Sequence, residues 1–580
     1  METRTKQIKI IFTSDIHGNY FPYDFRHEHW GKGSLQRVYA YVKKQRARYP
    51  ESTILIDGGD ILQGEPTAYY FNYIDMRKGH VVADMCNFVG YDVGVVGNHD
   101  IETGHENFDR FVNSCKHPIL GANVISNATG LPYFRPYTIL KRCGIRLCII
   151  GFISPAIPHW IPKKIWADMH FEDIKESARK WIAHVREHEN PDCIIGLIHS
   201  GMDNGIVTDD YRENAVRETV SEVEGFDLVL YGHDHSSNME SIESPSGRSV
   251  LCVNPGSLAY SISEIKIRFS INRLGKVVKN EASCQSIYIG TYHNSYAKEY
   301  EARFAEEYKA VERFASQQIG QFVNRVDISD AYFGPSAYID LIQELQLHVS
   351  KAELSFSAPL FFNSSIEAGE VKVNSLFNLY RFEDRLYTLR LRGSEIKNYL
   401  EMSYALWTTQ MNSPEDNMLQ TEPMKNNPTR LGFKNFLFNF DSAAGLRYTV
   451  DVSKAEGEKI NIISMSNGED FDSDRFYTVA MTAFRANGGG ELLTKGAGLS
   501  KEEIETRIVS STAKDIRYYL MEYIKEKGTI TPTARNEWKF IPEDWVEIAS
   551  SRERELLFGE SNNIKRRAYS DNIDEERRNR

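Results

Sequence analysis

Cysteine is scarce in this chain, with seven residues among 580, and none follows Cys284. The number is odd, and no pair has Cys-x-x-Cys spacing. We therefore expect reduced thiols in a cytoplasmic protein rather than a disulfide framework. The first fifteen residues, METRTKQIKIIFTSD, enter a short strand pattern without the apolar core of a signal peptide, which also predicts a cytoplasmic location for the chain as given.

Long apolar runs and an excess of basic residues are missing as well. No stretch of about 18 apolar residues occurs, so we predict no membrane span and no membrane partner. Lys and Arg number 69 against 80 Asp and Glu, a formal net charge of -11. This balance argues against a groove for DNA or RNA polymers but allows a small anionic substrate held by metal ions. The oligomeric state is left open.

The first half of the chain alternates short apolar runs with amphipathic stretches, a pattern that predicts a layered α/β domain. Aromatic and apolar residues then recur every three or four positions from Ser295 to Ile319, and Gly320 follows. This spacing predicts one long amphipathic helix, either a connector between domains or an ordinary packed helix. The second half mixes strands and helices, and the last stretch is charged and poor in apolar residues, as in a solvated tail.

Polar residues that can bind metals follow five of the apolar runs in the first half. In open α/β sheets, ligands bind beyond the carboxyl ends of the strands, so these side chains are expected to converge. Each motif alone is weak, but the set is strong because every member follows an apolar run and small residues surround it. The residues are Asp15 and His17, Asp60, Asn98 and His99, His199, and His233 and His235.

This mixture of oxygen and imidazole ligands suits Mn, Fe, Zn, Co or Ni and argues against a thiolate zinc site or a calcium loop. Even seven ligands from these eight side chains are too many for one tetrahedral ion. They fit two divalent ions about 3.5–4 Å apart that share a carboxylate, an arrangement that activates water and orients a phosphoryl group.

The motifs DIHGN, GGDILQG, GNHDIETG, HSG and GHDH, in this order, resemble the calcineurin-like metallophosphoesterases over most of residues 8–270. The second half resembles the C-terminal domain of the 5'-nucleotidase family. There, NFDSAAGLRYTVD and FRANGGG are most similar to the 2',3'-cyclic-nucleotide 2'-phosphodiesterase/3'-nucleotidase branch. The resemblance implies a four-layer αββα domain over 1–290, a linker helix over 291–321, an α+β substrate-binding domain over 322–548 and a charged tail over 549–580.

The resemblance also implies two sets of metal ligands that share Asp60. The sets are Asp15, His17, Asp60 and His235 for one ion, and Asp60, Asn98, His199 and His233 for the other. His99 would stand over the phosphate as a cation or general acid, oriented by Glu102, where the family more often has Asp. Asp100 is the rival orienting carboxylate, although a solvated turn residue is the favoured interpretation, and Asp234 is assigned no role.

In the family, two aromatic residues sandwich the nucleobase, and Phe438 and Phe484 lie at the matching positions. Phe436 and Phe440 are alternatives if the register differs. The resemblance implies further substrate contacts close to these rings: Asn439, Asp441, Arg485, Asn487, Gly488 and Gly489. One departure is FFNSSIEAGEV, from Phe361 to Val371, which has neither the glycine pair nor the arginine of typical 5'-nucleotidases and so favours the cyclic-phosphodiesterase branch.

The favoured function is a dimetal phosphohydrolase acting on nucleotides in nucleotide catabolism, as a 2',3'-cyclic-nucleotide 2'-phosphodiesterase and 3'- or 5'-nucleotidase. In the family the two domains rotate against one another to load substrate. An alternative keeps the metal chemistry but uses another phosphoester, such as a sugar phosphate. A metal-binding protein without turnover is opposed by the complete ligand set and by His99, and a nuclease is opposed by the acidic composition.

Overall fold

The computed structural model describes residues 4–208, 211–272, 277–290, 295–424 and 427–559. Among these residues the chain forms two compact units. The first contains residues 4–158 and 163–314, and the second contains residues 159–162 and 315–559.

Strands of the first unit build two six-stranded sheets and two short ribbons. The strands are β1 (Arg4–Thr13), β2 (Tyr23–Asp24), β3 (His29–Trp30), β4 (Thr53–Asp57), β5 (Val93–Val95), β6 (Ile119–Leu120), β7 (Val124–Ser126), β8 (Tyr137–Arg142), β9 (Ile145–Ile153), β10 (Met169–Phe171), β11 (Cys193–His199), β12 (Leu228–Tyr231), β13 (Asn238–Glu243), β14 (Ser249–Asn254), β15 (Ser261–Ile271) and β16 (Val277–Tyr288). The helices up to Ala315 are α1 (Leu35–Arg48), α2 (Pro66–Tyr69), α3 (Val81–Val89), α4 (Asn98–Glu102), α5 (His105–Ser114), α6 (Ile157–Trp160), α7 (Ile174–His188), α8 (Val216–Glu222), α9 (Ser295–Arg303) and α10 (Ala305–Ala315), with a π-turn at Tyr70–Ile74.

Each large sheet has a parallel centre. The first sheet has the order β16-β15-β1-β4-β5-β6, with β1, β4, β5 and β6 parallel. The second has the order β13-β14-β12-β11-β9-β8, with β14, β12, β11 and β9 parallel. Parallel strands place their carboxyl ends at one edge of each sheet, and this edge is where the polar motifs follow.

The two sheets enclose a core made from alternate positions of their strands. Ile8, Ile10 and Phe12 of β1 belong to the same buried cluster as Leu147 and Ile149 of β9. The intervening positions of β9 pack with α7 in a second cluster, and α1 contacts β4 and α3 beside the first sheet. Both strand faces are therefore buried, which explains the continuous apolar runs and confirms the layered α/β class.

The single long helix predicted from Ser295 to Ile319 is interrupted. Helix α9 ends at Arg303, α10 runs from Ala305 to Ala315, and Gln318–Phe322 is a strand. Gly320 lies in that strand, where an added Cβ would lie 2.6 Å from Ile524 Cγ2, so it serves close packing and not helix termination. Because α9 packs on α1 within the first unit, this segment follows the packed-helix interpretation.

The second unit is an α+β assembly, as expected. Its strands are β17 (Gln318–Phe322), β18 (Val326–Asp327), β19 (Leu354–Ser357), β20 (Ser365–Ile366), β21 (Gly369–Lys372), β22 (Arg385–Arg392), β23 (Thr421–Met424), β24 (Asn427–Phe433), β25 (Ser442–Ala444), β26 (Leu446–Asp451), β27 (Ile460–Met465), β28 (Phe476–Thr482), β29 (Ile508–Asp515), β30 (Thr529–Ile530) and β31 (Trp538–Ile541). Its helices are α11 (Ala337–Ser350), α12 (Leu376–Leu379), α13 (Gly393–Trp407), α14 (Ala483–Ala486), α15 (Lys501–Arg507), α16 (Ile516–Lys527) and α17 (Glu543–Phe558). Short turns of other helical types lie at Ile328–Tyr332, Val373–Ser375, Leu437–Asn439, Gly489–Glu491 and Leu492–Gly496.

The central sheet of this unit has the order β25-β19-β28-β22-β29. Helices α11 and α13 pack on it, and a large aromatic core that includes Tyr404, Trp407, Tyr448 and Trp538 lies beside it.

The beginning of the predicted tail is structured. Helix α17 continues to Phe558 and buries Glu553 and Leu557, so its spaced apolar residues outweigh the charge-rich composition on which the prediction of a solvated tail depended. Residues 560–580 of the predicted tail lie outside the described residues. Among the described helices, none combines the length and the apolar character that crossing a bilayer requires.

Candidate metal centre

Seven side chains meet where the parallel strands of both sheets end. Asp15 and His17 follow β1, Asp60 follows β4 and Asn98 follows β5. From the second sheet, His199 ends β11, and His233 and His235 follow β12. All seven are buried, and the structure brings together every predicted metal ligand.

Several of these residues have an unusual backbone conformation. The φ angles of Asp15, His17, Asp60, His233 and His235 lie between 49° and 77°, a left-handed region that residues other than glycine rarely adopt. Such strain persists where the surrounding structure enforces it, and it is typical of functional sites. The tight turns therefore do not depend on the nearby glycines alone, because five of the seven ligand residues adopt the left-handed conformation themselves.

The first cluster contains Asp15, His17, Asp60 and His235, each with one ligand atom within 4.8 Å of the others. The Nε2 atoms of His17 and His235 are 2.8 Å apart, and His235 Nε2 lies 3.2 Å from Asp15 Oδ1. Lone-pair atoms at such distances repel one another unless a proton or a cation lies between them. This donor set is suited to a divalent transition metal.

The second cluster contains Asp60, His199 and His233, and Asn98 completes it. The amide oxygen of Asn98 lies 3.1 Å from His199 Nε2 and 2.9 Å from His233 Nδ1. Because this oxygen is an acceptor, its position suits a neutral ligand to a cation shared with the imidazoles.

Asp60 belongs to both clusters. Its Oδ1 accepts a hydrogen bond from the backbone N–H of His99 at 2.8 Å. Its Oδ2 is buried and lies 3.1 Å from His199 Nε2 and 3.9 Å from His17 Nε2. A buried carboxylate oxygen between two sets of imidazoles is suited to bridging two ions.

In three of the four imidazoles, the ring nitrogen that points away from the cluster lies close to a hydrogen-bond acceptor. His17 Nδ1 lies 2.9 Å from the carbonyl of Gln63, and His199 Nδ1 lies 2.7 Å from that of Gly58. His233 is oriented differently, because its Nε2 lies 2.9 Å from Glu213 Oε1 and its Nδ1 faces the cluster. Such partners fix the tautomer and raise the basicity of a metal-ligating histidine. Glu213 was not predictable from the sequence, because it is one acid among several in a charged segment.

The electrostatics of the clusters favour ionised carboxylates. Burial raises the pKa of Asp60, but His199 and His99 outweigh it and hold that pKa well below its ordinary value. Burial, with His235, lowers the pKa of His17 to about 3, so this ring is a neutral ligand. Burial opposes the charged form of His199, yet Asp60 raises its pKa to about 10, so an ion binding there must release that proton.

His99 lies beside the clusters without belonging to either of them. Its ring centroid is 5.4 Å from that of His17, and its Nδ1 lies 2.7 Å from Glu102 Oε2. Gln63 donates a hydrogen bond to the same carboxylate oxygen at 2.9 Å. The structure thus pairs His99 with Glu102, as the resemblance implies.

The two remaining acids of these motifs, Asp100 and Asp234, stabilise the loops that carry the ligands. Asp100 is buried and accepts hydrogen bonds from the N–H groups of Asp60, Ile61, Leu62 and Gly97, so the favoured interpretation of a solvated turn residue is wrong.

Asp234, to which no role was assigned, accepts hydrogen bonds from Met202 N at 2.9 Å and from Asn254 Nδ2 at 2.7 Å. It therefore links the loop that follows His199 to the loop that carries His233 and His235.

In the second unit, the predicted stacking residues form one half-exposed aromatic cluster. The rings of Phe438 and Phe484 meet edge to face at 5.3 Å, and Phe436 stacks on Phe438 at 4.7 Å. Phe440 is fully buried against Trp407, which excludes it as an alternative stacking residue. Because Phe438 and Phe484 touch, a base fits between them only after the rings separate.

The side chain of Arg485 is buried and makes hydrogen bonds within the protein, so it is not an exposed substrate contact. Its Nε donates to Asp441 Oδ2 at 3.0 Å, and its Nη1 donates to Asn439 Oδ1 at 3.1 Å and to Gly489 O at 2.6 Å. Its Nη2 donates to the carbonyl of Phe438. Three of the predicted substrate residues, Arg485, Asn439 and Asp441, therefore join the two loops that carry the aromatic rings.

The remaining predicted residues of this region shape the loop. Asn487 Nδ2 donates to the carbonyl of Ala483 at 2.7 Å. Gly488 has a φ of 87°, and a Cβ on Gly489 would lie 2.6 Å from the ring of Phe484. The glycines thus permit close packing against the aromatic ring.

Comparisons with known proteins agree with both halves of this description. Residues 8–237 match the model of the calcineurin-like phosphoesterases, and residues 315–495 match that of the 5'-nucleotidase C-terminal domain. The trifunctional nucleotide phosphoesterase protein YfkN of Bacillus subtilis (strain 168) is 26% identical over 92% of this chain, which spans only 39% of that relative. A 2',3'-cyclic-nucleotide 2'-phosphodiesterase/3'-nucleotidase of Yersinia enterocolitica is 24% identical over 93% of this chain and 88% of its own length.

Among solved structures, a protein of Staphylococcus aureus assigned as a 5'-nucleotidase superposes with a TM-score of 0.73 at 19% identity. The alignment covers 92% of this chain and 100% of that one, and it shows a shared fold. The fold and the paired clusters define a metal-dependent phosphoester hydrolase that uses two divalent ions. The chain therefore carries a calcineurin-like phosphoesterase domain in its first half and a 5'-nucleotidase C-terminal domain in its second half.

Proposed function

We propose that this chain hydrolyses phosphate esters of nucleotides, as a 2',3'-cyclic-nucleotide 2'-phosphodiesterase and 3'- or 5'-nucleotidase in nucleotide catabolism. The observation that carries the proposal is the pair of clusters sharing Asp60 Oδ2, beside the His99–Glu102 pair. The names of the curated relatives and the half-exposed aromatic cluster of the second unit support nucleotides as the substrate.

In this proposal Asp60 belongs to both ligand sets. Asp15, His17, Asp60 and His235 would hold one ion, and Asp60, Asn98, His199 and His233 would hold the other. Two such ions, when bound, lower the pKa of a water molecule and neutralise charge on a phosphoryl group. We propose Mn as the added metal.

His99 supplies the proton chemistry. Glu102 accepts a hydrogen bond from the Nδ1–H group of His99, which leaves Nε2 as the atom that exchanges a proton with the leaving oxygen. With a 2',3'-cyclic substrate, water adds to phosphorus, the bond from phosphorus to O2' breaks, and O2' takes a proton to give the 3'-nucleotide. Hydrolysis of the 3'-ester then releases nucleoside and phosphate.

One observation favours a second candidate. The ring centroids of Phe438 and Phe484 are 5.3 Å apart, so no base fits between the rings as they stand. In addition, the segment from Phe361 to Val371 has no arginine that could bind a phosphate or a base. A phosphoester without a base, such as a sugar phosphate, needs neither ring separation nor an arginine in this segment.

The decisive experiment measures phosphate release in Mn from four substrates in parallel: 2',3'-cyclic AMP coupled to a nonspecific phosphatase, 3'-AMP, 5'-AMP and glucose 6-phosphate. A strong preference for the cyclic and 3' substrates supports the cyclic-phosphodiesterase branch, and a preference for 5'-AMP supports the 5'-nucleotidase branch. Activity on glucose 6-phosphate alone contradicts the nucleotide proposal. An RNA oligomer completes the panel, because we propose that no nucleic-acid polymer is bound.

We also propose a cytoplasmic location with no membrane partner. The support is that all seven cysteines are free thiols, and four of them are buried. Fractionation of the source cells tests this location.

A further inference from the structure

A short β-ribbon follows the loop that carries His17, and it holds a cluster outside the dimetal centre. Strands β2 and β3 pair antiparallel, with Tyr23 opposite Trp30 and Asp24 opposite His29. Residues directly opposite each other in such a pair project from the same face. The four-residue turn between the strands includes His27 and Glu28, which has a left-handed φ of 56°.

Three metal-competent atoms converge on this ribbon. His27 Nδ1 lies 2.8 Å and His29 Nε2 lies 3.8 Å from Asp24 Oδ2, and all three atoms lie within 4.8 Å of one another. The two rings are nearly parallel, with 15° between their planes and 6.0 Å between their centroids. On a tetrahedral Zn²⁺ with ligands at 2.0–2.2 Å, neighbouring ligand atoms are about 3.3 Å apart, a value that falls between the two distances to Asp24.

The carboxylate is fixed before any ion arrives. Asp24 Oδ1 accepts hydrogen bonds from the backbone N–H groups of Arg26 and His27, both at 2.9 Å, and this holds Oδ2 towards the imidazoles.

The ribbon is anchored from below. Phe25 is buried, and its ring lies 5.1 Å from that of Tyr308, which also contacts the rings of Phe21 and Tyr23. This packing fixes the backbone of the ribbon. The side chains of His27 and His29 are therefore the parts that would rotate to bring all three ligand atoms to one ion.

We propose that Asp24, His27 and His29 form a third metal site, distinct from the dimetal centre, that binds Zn²⁺. Two imidazoles and one carboxylate are a frequent zinc donor set, and a site with three protein ligands keeps its fourth position for water. The half-exposed His29 side chain, with 52% of its surface accessible, makes the site reachable from solvent. The ion closes the four-residue turn and adds stability to the ribbon.

Calorimetric titration of the Mn-loaded full-length enzyme with Zn²⁺ tests the site. Because Zn²⁺ binds such donor sets more tightly than Mn, elemental analysis of both metals must accompany the titration, and we expect one equivalent of Zn²⁺ beyond the equivalents that replace Mn. We expect at least tenfold weaker binding in His29→Ala and in Asp24→Asn. The matched control is His188→Ala. His188 is exposed and stacks on a second histidine, but it belongs to none of the metal-competent groups found among the described residues.

Zn²⁺ uptake no greater than the amount of Mn released, or equal uptake by the ribbon variants and the parent chain, would overturn the proposal. An anomalous-scattering peak beside Asp24 in Zn²⁺-soaked crystals would support it directly. Turnover in Mn without Zn²⁺ is expected to be unchanged in His29→Ala, so failure of this site and failure of the proposed phosphohydrolase function are distinguishable.

Discussion

His99 and Glu102 lie three residues apart on α4, with His99 Nδ1 2.7 Å from Glu102 Oε2. Positions three apart share one face of a helix. The same helix begins at Asn98, which reaches the second cluster. One short helix therefore holds a candidate ligand, a candidate acid and the carboxylate that orients it.

His99→Ala is expected to lower kcat by roughly 100- to 10,000-fold, the usual contribution of a positioned general acid. Because His99 belongs to neither cluster, both metal ions should stay bound. Turnover of 3'-AMP, measured with the metal content of the same sample, checks both statements. Loss of metal would show that His99 is a ligand. His170→Ala is the control, since this exposed histidine lies outside both clusters.

Glu213→Gln is expected to weaken metal binding by about 10- to 100-fold without removing a ligand. Glu213 Oε1 lies 2.9 Å from His233 Nε2, and Gln presents a weaker acceptor in the same shape. Activity followed against Mn concentration should require more metal and then reach the wild-type plateau. A lowered plateau at saturating metal would instead place Glu213 in the reaction itself. Glu218→Gln, an acid nearby in sequence that faces Lys175, is the control.

The clusters were predictable because the signal is local. Each metal-competent residue follows a buried run, and parallel strands bring those ends to one edge. The left-handed conformations of Asp15 and Asp60 were not predictable, since glycines stand near both and offered a simpler account. Glu213 and Asp100 were missed or misread because a lone acid in a turn has the same local pattern whether it is buried or exposed.

The contacts within the aromatic cluster of the second unit, in contrast, were not predictable from the sequence. The resemblance to the 5'-nucleotidase family pointed to Phe438 and Phe484, and the structure brings their rings together. Whether Arg485 faces a ligand or its own loop depends on residues more than forty positions away, namely Asn439 and Asp441. Sequence spacing alone carries no information on that choice.

Phe484→Ala is expected to weaken nucleotide binding, with KM rising by the equivalent of about 1–3 kcal/mol, the usual contribution of base stacking on an aromatic ring. Hydrolysis of p-nitrophenyl phosphate, which has no base, should change little. Parallel kinetics with the two substrates give the comparison. Equal losses on both would exclude a stacking role. Val509→Ala, an exposed apolar residue of β29, controls for general effects in the second unit.

Arg485→Ala is expected to destabilise the second unit by about 3–5 kcal/mol, because it leaves the buried Asp441 carboxylate without its cation. The double variant with Asp441→Asn should recover part of that loss. Chemical denaturation followed by tryptophan fluorescence measures both effects. Unchanged stability combined with a raised KM would instead show that Arg485 contacts the substrate directly.

Glu553 gives a pH dependence far in sequence from the metal ligands. Burial raises the pKa of Glu553 to about 7, although it accepts hydrogen bonds from the backbone N–H groups of Met418 and Leu419. The folded chain therefore binds a proton that the unfolded chain, with an ordinary glutamate, has already released. Stability from this group is complete below about pH 4.5 and declines as the pH rises through about 7.

Glu553→Gln removes this decline, since the amide carries no charge. An amide oxygen in the place of Oε2, which lies 3.3 Å from Met418 N and 3.4 Å from Leu419 N, still accepts from the backbone. At pH 8 the variant is expected to be more stable than the parent chain by about 3 kcal/mol at most, the equivalent of a shift from 4.5 to about 7. At pH 4, below the ordinary glutamate pKa, the difference should nearly vanish. Thermal unfolding across this range tests the trend, with Glu555→Gln on the exposed face of α17 as the control. A difference independent of pH would mean that Glu553 stays charged in the folded chain, and that its two backbone hydrogen bonds outweigh its burial.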